Sequence, residues 1–166
     1  MPRLKTLSLQ NNFLSGSLPD SIGLLTQVSD MLLQRNRLRG PLPTTLGNAE
    51  QLRVLDLQIN NLTQAMPSEV GKLGVLTHLL LHNNVPGLGT GVPLESGVIP
   101  TELGTMGNLA VLELTNNGLT GFLPDFLQGG FHTQLDVGIG GNPYYCPLAP
   151  WALENYSGVS CRHCPG

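Results

Sequence analysis

The chain has 166 residues and a formal net charge of −3, and its 21 glycines and 13 prolines together are about as numerous as its 33 leucines. Many chain-breaking residues and a charged content of only 11% argue against a coiled coil, and the slight acidity argues against a basic nucleic-acid binder. No apolar run reaches the roughly 18 residues that a membrane-spanning helix needs.

Three residue types recur along the chain in one register. The intervals between successive asparagines of this register are 24, 24, 24, 33 and 25 residues. Prolines and glycines keep the same 24-residue step and share the lengthened one. These asparagines are Asn12, Asn36, Asn60, Asn84, Asn117 and Asn142. A fixed period of this length predicts a stack of similar structural units.

The first unit reads L-x-x-L-x-L-x-x-N-x-L-x-G-x-L-P from Leu4 to Pro19. The alternation of Leu7 and Leu9 predicts a short strand whose leucines face inward. An inward asparagine needs hydrogen-bond partners, because an unpaired buried amide costs a few kcal/mol, so we expect a ladder of asparagines bonded to backbone groups. Proline suits an irregular outer side. The glycine that recurs four residues after the proline, first at Gly23, suits a tight turn with positive φ.

The 24-residue unit and its L-x-G-x-L-P half make residues 4–146 resemble the plant-type leucine-rich repeat. This resemblance implies an α/β-type repeat solenoid: a right-handed superhelix with a short parallel β-sheet on its concave face and irregular or 3-10 turns on its convex side. About five full units and a degenerate sixth are expected in residues 1–140, with a loop insertion at 85–96. A cysteine-containing cap is expected in residues 141–166.

The composition changes towards the carboxyl end, where seven of the eight aromatic residues and all three cysteines lie. The stretch Asn142–Cys146 is similar to the Asn-Pro-x-x-Cys cap of extracellular plant-type repeat domains. That similarity implies a disulfide from Cys146 to Cys161 or Cys164, and hence an oxidising compartment. Zinc binding and a free or intermolecular thiol are the alternatives.

The amino-terminal unit opens inside a repeat, without the cysteine pair that such domains usually carry first. Leu4, Leu7 and Leu9 are therefore expected at an open end of the stack. The chain would be a piece of a longer protein or lack its true start, or further repeats or a partner would cover that end.

Residues that alternate with the inward leucines should point away from the core and form the concave face. The expected columns are Thr6, Asp30, Val54, His78 and Val111, then Ser8, Leu32, Asp56, Leu80 and Glu113, then Gln10, Gln34, Gln58, His82 and Thr115. Leu32 and Leu80 would supply apolar contacts, and the glutamines adaptable polar ones. The alternative is a solvated sheet face that binds nothing tightly.

Taken as a whole, the chain resembles ectodomains of receptor-like proteins and receptor kinases, and also polygalacturonase-inhibiting proteins. The resemblance implies a non-catalytic module for a protein or peptide ligand, extracellular or at the cell surface, with no cofactor and no metal. A kinase domain would belong to a longer parent chain. A secreted inhibitor of a hydrolase, a structural or adhesive surface protein and a cytoplasmic location are the alternatives. Asn61 and Asn155 begin sequons and would be glycosylation sites outside the cytoplasm.

Overall fold

The computed structural model describes residues 4–84, 97–128, 135–145, 147–148, 150–156 and 158–161. The predicted insertion at 85–96 and the predicted pairing among Cys146, Cys161 and Cys164 lie outside this description. No helix within the described ranges has the length and apolar character of a membrane span.

The predicted strands form one parallel sheet on the concave side. In the described ranges the strands are β1 (Thr6–Ser8), β2 (Ser15–Gly16), β3 (Asp30–Leu32), β4 (Arg37–Gly40), β5 (Val54–Asp56), β6 (Asn61–Leu62), β7 (His78–Leu80), β8 (Val111–Glu113), β9 (Asp136–Gly138), β10 (Pro143–Tyr144) and β11 (Ser160–Cys161). The concave sheet has the order β1-β3-β5-β7-β8-β9, so each turn adds one strand. A second parallel sheet has the order β2-β4-β6. In each of the first three turns, its strand follows the strand of the concave sheet along the chain.

Short 3-10 helices form the opposite side of the stack. They are η1 (Asp20–Leu24), η2 (Thr44–Asn48), η3 (Ser68–Lys72), η4 (Thr101–Thr105) and η5 (Asp125–Gln128). A proline precedes each of the first four with φ between −75° and −61°. The Pro19 carbonyl accepts the Ile22 N–H at 2.9 Å, which closes the first turn of η1. Proline thus starts the helix with a fixed φ and loses no needed donor.

The recurring glycines of these helices do not have the predicted positive φ, and that prediction was wrong. They are needed for space. A Cβ on Gly47 would lie 2.5 Å from the Glu69 carbonyl oxygen, and one on Gly104 would lie 2.8 Å from the Cβ of Phe126. Gly23 and Gly71 meet the next helix in the same way. The missing side chain therefore lets successive 3-10 helices stack closely.

Positive φ occurs instead at two other positions of the unit. The residue before each asparagine of the ladder is left-handed: φ lies between 55° and 58° at Asn11, Arg35, Ile59, Asn83 and Asn116. The glycine of the L-x-G-x-L-P half is the second position, with φ of 89° at Gly16, 80° at Gly40 and 82° at Gly121. In the third unit Gln64 takes this place with φ 68°. Gln64 and the β-branched Ile59 therefore have backbone conformations that their residue types disfavour.

Four ladder asparagines, Asn36, Asn60, Asn84 and Asn142, connect their turns to the ones before them, whereas the buried Oδ1 of Asn117 has no hydrogen-bond partner among the described residues. Asn60 donates from Nδ2 to the carbonyls of Leu57 in its own turn and Leu33 in the preceding turn, both at 3.1 Å, and accepts the Leu38 N–H at 3.0 Å. From Asn36 to Asn142 these asparagines are at most 8% exposed. Asn12 is exposed and bonds only carbonyls of its own turn, those of Leu9 and Gln10, among the described residues.

The two ends of the stack differ. At the first turn Leu4 and Leu7 are half-buried, whereas Leu9 is 38% and Phe13 79% exposed. At the other end the short helix α1 (Pro150–Asn155) and the β10–β11 pair cover the last turn. Tyr144 is fully buried there and donates its hydroxyl to the Ile139 carbonyl at 3.2 Å.

Candidate functional site

Strand register places the predicted concave residues in columns. Thr6 pairs with Asp30 and Ser8 with Leu32, and the same register continues through Val54. The strand pairs up to β8 continue both columns to Val111 and Glu113. The third column follows from backbone bonds beyond the strands, such as Arg35 N–H to the Gln58 carbonyl and Ile59 N–H to the His82 carbonyl, both at 3.0 Å. The three columns form one continuous face about three residues wide.

The centre of this face alternates between apolar and acidic side chains. Leu32, Asp56 and Leu80 are direct neighbours across three strands. Both leucines are half-buried, whereas Asp56 is only 5% exposed. Its carboxylate accepts two bonds from Gln58, from the backbone N–H at 3.2 Å and from Nε2 at 3.0 Å. Asp56 is therefore held within the surface, and the two leucines offer most of the accessible area here.

The third column holds polar atoms that are shielded from water. Oε1 of Gln10, Oε1 of Gln34 and Nδ1 of His82 are buried and have no hydrogen-bond partner among the described residues. A buried polar atom without a partner costs about 1–3 kcal/mol. His78, in the first column, has its Nδ1 2.9 Å from the Thr77 hydroxyl.

The last strand of the concave sheet, β9, extends the concave face beyond the predicted residues. β9 places Asp136 beside Val111 and Gly138 beside Glu113. Gly140 continues the third column, because its carbonyl accepts the Asn116 N–H at 3.0 Å. The spacing of Val137, Ile139 and Asn142 already marks this degenerate unit in the sequence. Extending the three columns by one turn would therefore have found Asp136, Gly138 and Gly140.

A basic groove lies outside the concave face, along the second sheet. Arg37 and Arg39 line it together with Ser15, Asn61 and Thr63. The guanidinium of Arg37 lies 4.9 Å from the ring centre of the exposed Phe13, within cation–π range. The predicted acceptor Asn61 is exposed here, and the predicted acceptor Asn155 is exposed at the end of α1.

The described side chains suggest no metal centre. Within those ranges no group of three or more His, Cys, Asp or Glu residues is arranged to hold an ion. What the concave face offers is a surface of apolar, amide and carboxylate groups on a rigid sheet. Such a surface can bind a ligand through side-chain contacts, and its residues come from six successive turns.

Comparisons with known proteins agree with this architecture. The family model for the Leucine Rich Repeat matches residues 3–25 and 108–129. No curated protein matches the chain.

Solved structures with similar folds include plant receptor ectodomains. The ectodomain of the Arabidopsis thaliana membrane receptor kinase GASSHO1/SCHENGEN3, in complex with CASPARIAN STRIP INTEGRITY FACTOR 2, has a TM-score of 0.77 and 32% identity over 87% of this chain and 16% of that chain. The plant peptide hormone receptor RGFR1, in complex with RGF2, has a TM-score of 0.77 and 30% identity over 87% of this chain and 22% of that chain. The chain thus spans less than a quarter of the length of these two ectodomains.

A third structure is closer in length. In the BIR3–SERK2 complex from Arabidopsis thaliana, the matching chain has a TM-score of 0.70 and 30% identity, over 86% of this chain and 69% of that chain.

Proposed function

The chain belongs to the plant-type leucine-rich-repeat proteins, and from that premise we propose that it is a non-catalytic recognition module whose concave face binds a peptide or protein outside the cell. Solved relatives support the ligand class, since GASSHO1/SCHENGEN3 and RGFR1 were each determined in complex with a named factor. The BIR3–SERK2 complex supports another protein chain as the alternative kind of partner.

The observation that carries this proposal is the central column of the concave face. Leu32 and Leu80 present apolar surface on both sides of the buried Asp56. The adjoining column holds the unpartnered oxygens of Gln10 and Gln34. An apolar centre flanked by amide side chains fits the apolar core and polar rim of protein interfaces.

An extracellular setting is part of the proposal. Asn61 is exposed at the start of its sequon, and it lies on the second sheet, away from the concave columns. A glycan there would leave the concave face free. The similarity of the Asn142–Cys146 stretch to the caps of extracellular repeat domains supports the same setting.

The experiment selects peptides from a random display library on the purified chain and measures their affinity for variants. Leu80→Glu places a charge in the apolar centre, and we expect it to weaken the selected peptides at least about tenfold. Leu24→Glu is the matched control, because Leu24 is 77% exposed on the 3-10 side, outside the concave columns, and should leave affinity unchanged. Equal affinity for wild type and Leu80→Glu would exclude the concave face as the site.

A further inference from the structure

A cavity of about 390 Å³ opens at the carboxyl end of the concave face. One wall comes from β8 and the residues after it, with Glu113 and Thr115. Gly138 and Gly140 form the floor, and the other wall comes from the cap, with Asn155 and Tyr156. The concave columns therefore lead directly into a recess between the last strand and the cap.

The two floor glycines explain why the recess exists. Every earlier position of the second and third columns carries a side chain, whereas Gly138 and Gly140 end those columns without one. The carboxylate of Glu113 takes part of the vacated space: a Cβ on Gly138 would lie 2.6 Å from its Cδ. A side chain at residue 138 would thus displace the acidic group from its present place.

Glu113 carries the formal charge of the recess. Its Oε2 lies 3.4 Å from the Thr115 hydroxyl, a long contact. None of the described residues that line the cavity is lysine, arginine or histidine. A half-buried carboxylate with no cation among the described residues of the cavity loses hydration without gaining an ion pair there, so an incoming cation would be favoured.

The other groups around Glu113 are mainly acceptors or aromatic surface. The Asn155 Nδ2 donates one of its two hydrogens to the Trp151 carbonyl at 2.7 Å, and its Oδ1 is an acceptor. The Tyr156 hydroxyl donates to the Leu127 carbonyl at 2.6 Å, and the Tyr156 ring packs edge-to-face against Trp151 with 6.2 Å between the ring centres. A planar, donor-rich cation matches the Glu113 carboxylate, since guanidinium pairs with carboxylates through two parallel hydrogen bonds.

We propose that this recess binds the guanidinium of an arginine side chain on the ligand that docks along the concave face. The inference rests on the proposed function, because the concave columns would deliver that arginine to the recess. Glu113 would pair with the guanidinium through two hydrogen bonds, within the space that Gly138 and Gly140 leave open.

A pair of small probes tests the recess without the ligand. Acetyl-arginine methylamide and its neutral isostere acetyl-citrulline methylamide are titrated into the ¹⁵N-labelled chain. We expect the arginine probe to shift the amide signals of Thr115, Gly138 and Gly140, with an affinity at least about tenfold above that of the citrulline probe. Equal affinity for the two probes would overturn the proposal.

Variants locate the preference at Glu113. Glu113→Gln keeps the shape and removes the charge, and Gly138→Ala pushes the carboxylate away; both should abolish the preference for arginine. Glu102→Gln is the matched control, because Glu102 is an exposed carboxylate on η4, and it should keep the preference. A preference that persists in Glu113→Gln would refute the assignment.

The two experiments can fail independently, so the recess proposal and the proposed function are tested separately. If Leu80→Glu weakens the selected peptides while the arginine probe does not bind, the recess proposal fails and the concave face stands. If the arginine probe binds at Glu113 while Leu80→Glu has no effect on those peptides, the proposed function fails and the recess remains a cation site.

Discussion

Gly47 lies so close to Glu69 that a Cβ on the glycine would come within 2.5 Å of the glutamate carbonyl oxygen. The two residues belong to consecutive 3-10 helices, η2 and η3. Their contact sets how tightly the outer side of the stack closes. The same relationship recurs at Gly23, Gly71 and Gly104, so it is a property of the repeat.

Gly47→Ala should therefore destabilise the chain by about 2–3 kcal/mol, because the backbone of Glu69 must move to admit one methyl group. The free energy of unfolding from urea denaturation measures this. Gly74→Ala is the matched control, since a Cβ there meets no atom within 4 Å, and its stability should equal or slightly exceed that of wild type. A stable Gly47→Ala variant would show that the helices are not in steric contact.

Gln64→Gly should stabilise the chain by about 0.5–1 kcal/mol. Gln64 has φ 68° at the position where Gly16, Gly40 and Gly121 stand in other units, and relief of a left-handed conformation outweighs the extra entropy of glycine in the unfolded chain. The urea midpoint reports the change. Gly40→Ala makes the reverse exchange and should lower the midpoint; a loss of stability in Gln64→Gly would contradict this account.

Asn60→Ala should cost about 3 kcal/mol or more. The substitution leaves the buried Leu38 N–H and the carbonyls of Leu33 and Leu57 without the bonds that Asn60 makes. Thermal and urea unfolding measure the loss. Asn12→Ala removes the same side chain from an exposed ladder position and should cost less than about 1 kcal/mol. Similar losses in the two variants would argue against burial as the cause.

Stability should fall at alkaline pH through the buried tyrosines. Burial raises the pKa of Tyr144 above its ordinary value of 10.0, against a smaller opposing effect of its hydrogen bond with Asn142, and burial also raises the pKa of Tyr156. The folded chain keeps the Tyr144 phenol neutral, so its contribution is complete below pH 10 and declines above it by up to about 1.4 kcal/mol per pH unit. The half-buried Tyr156 adds a smaller decline in the same direction.

The measurement is urea unfolding between pH 8 and pH 11. Tyr144→Phe and Tyr156→Phe should each flatten the decline above pH 10, because phenylalanine cannot ionise in the unfolded state. A decline that is equally steep in both variants would assign the pH dependence to other groups.

Much of the fold could be predicted from periodicity, because one register fixes the strands, the asparagines and the helix-starting prolines together. The prediction of positive φ at the recurring glycines was wrong. The sequence shows that Gly47 has no side chain, but it does not show whether the backbone angle φ or the close neighbouring helix requires a glycine there. The burial of Asp56 could not be predicted, since it depends on Leu32 and Leu80 in neighbouring turns. The recess at Glu113 also escaped prediction, because the approach of Tyr156 is a tertiary contact with the cap.

The asparagine ladder bears on how a chain of this kind can change through evolution. Among the described residues the Asn60 side chain bonds only its own turn and the one before it, and the side chains of Asn36 and Asn84 bond in the same manner. A duplicated or deleted segment of 24 residues would therefore restore every ladder bond at the new junction. The number of turns can drift by gene duplication without a redesign of the interior. Selection can then act on the concave side chains, such as Leu80, which the ladder does not use.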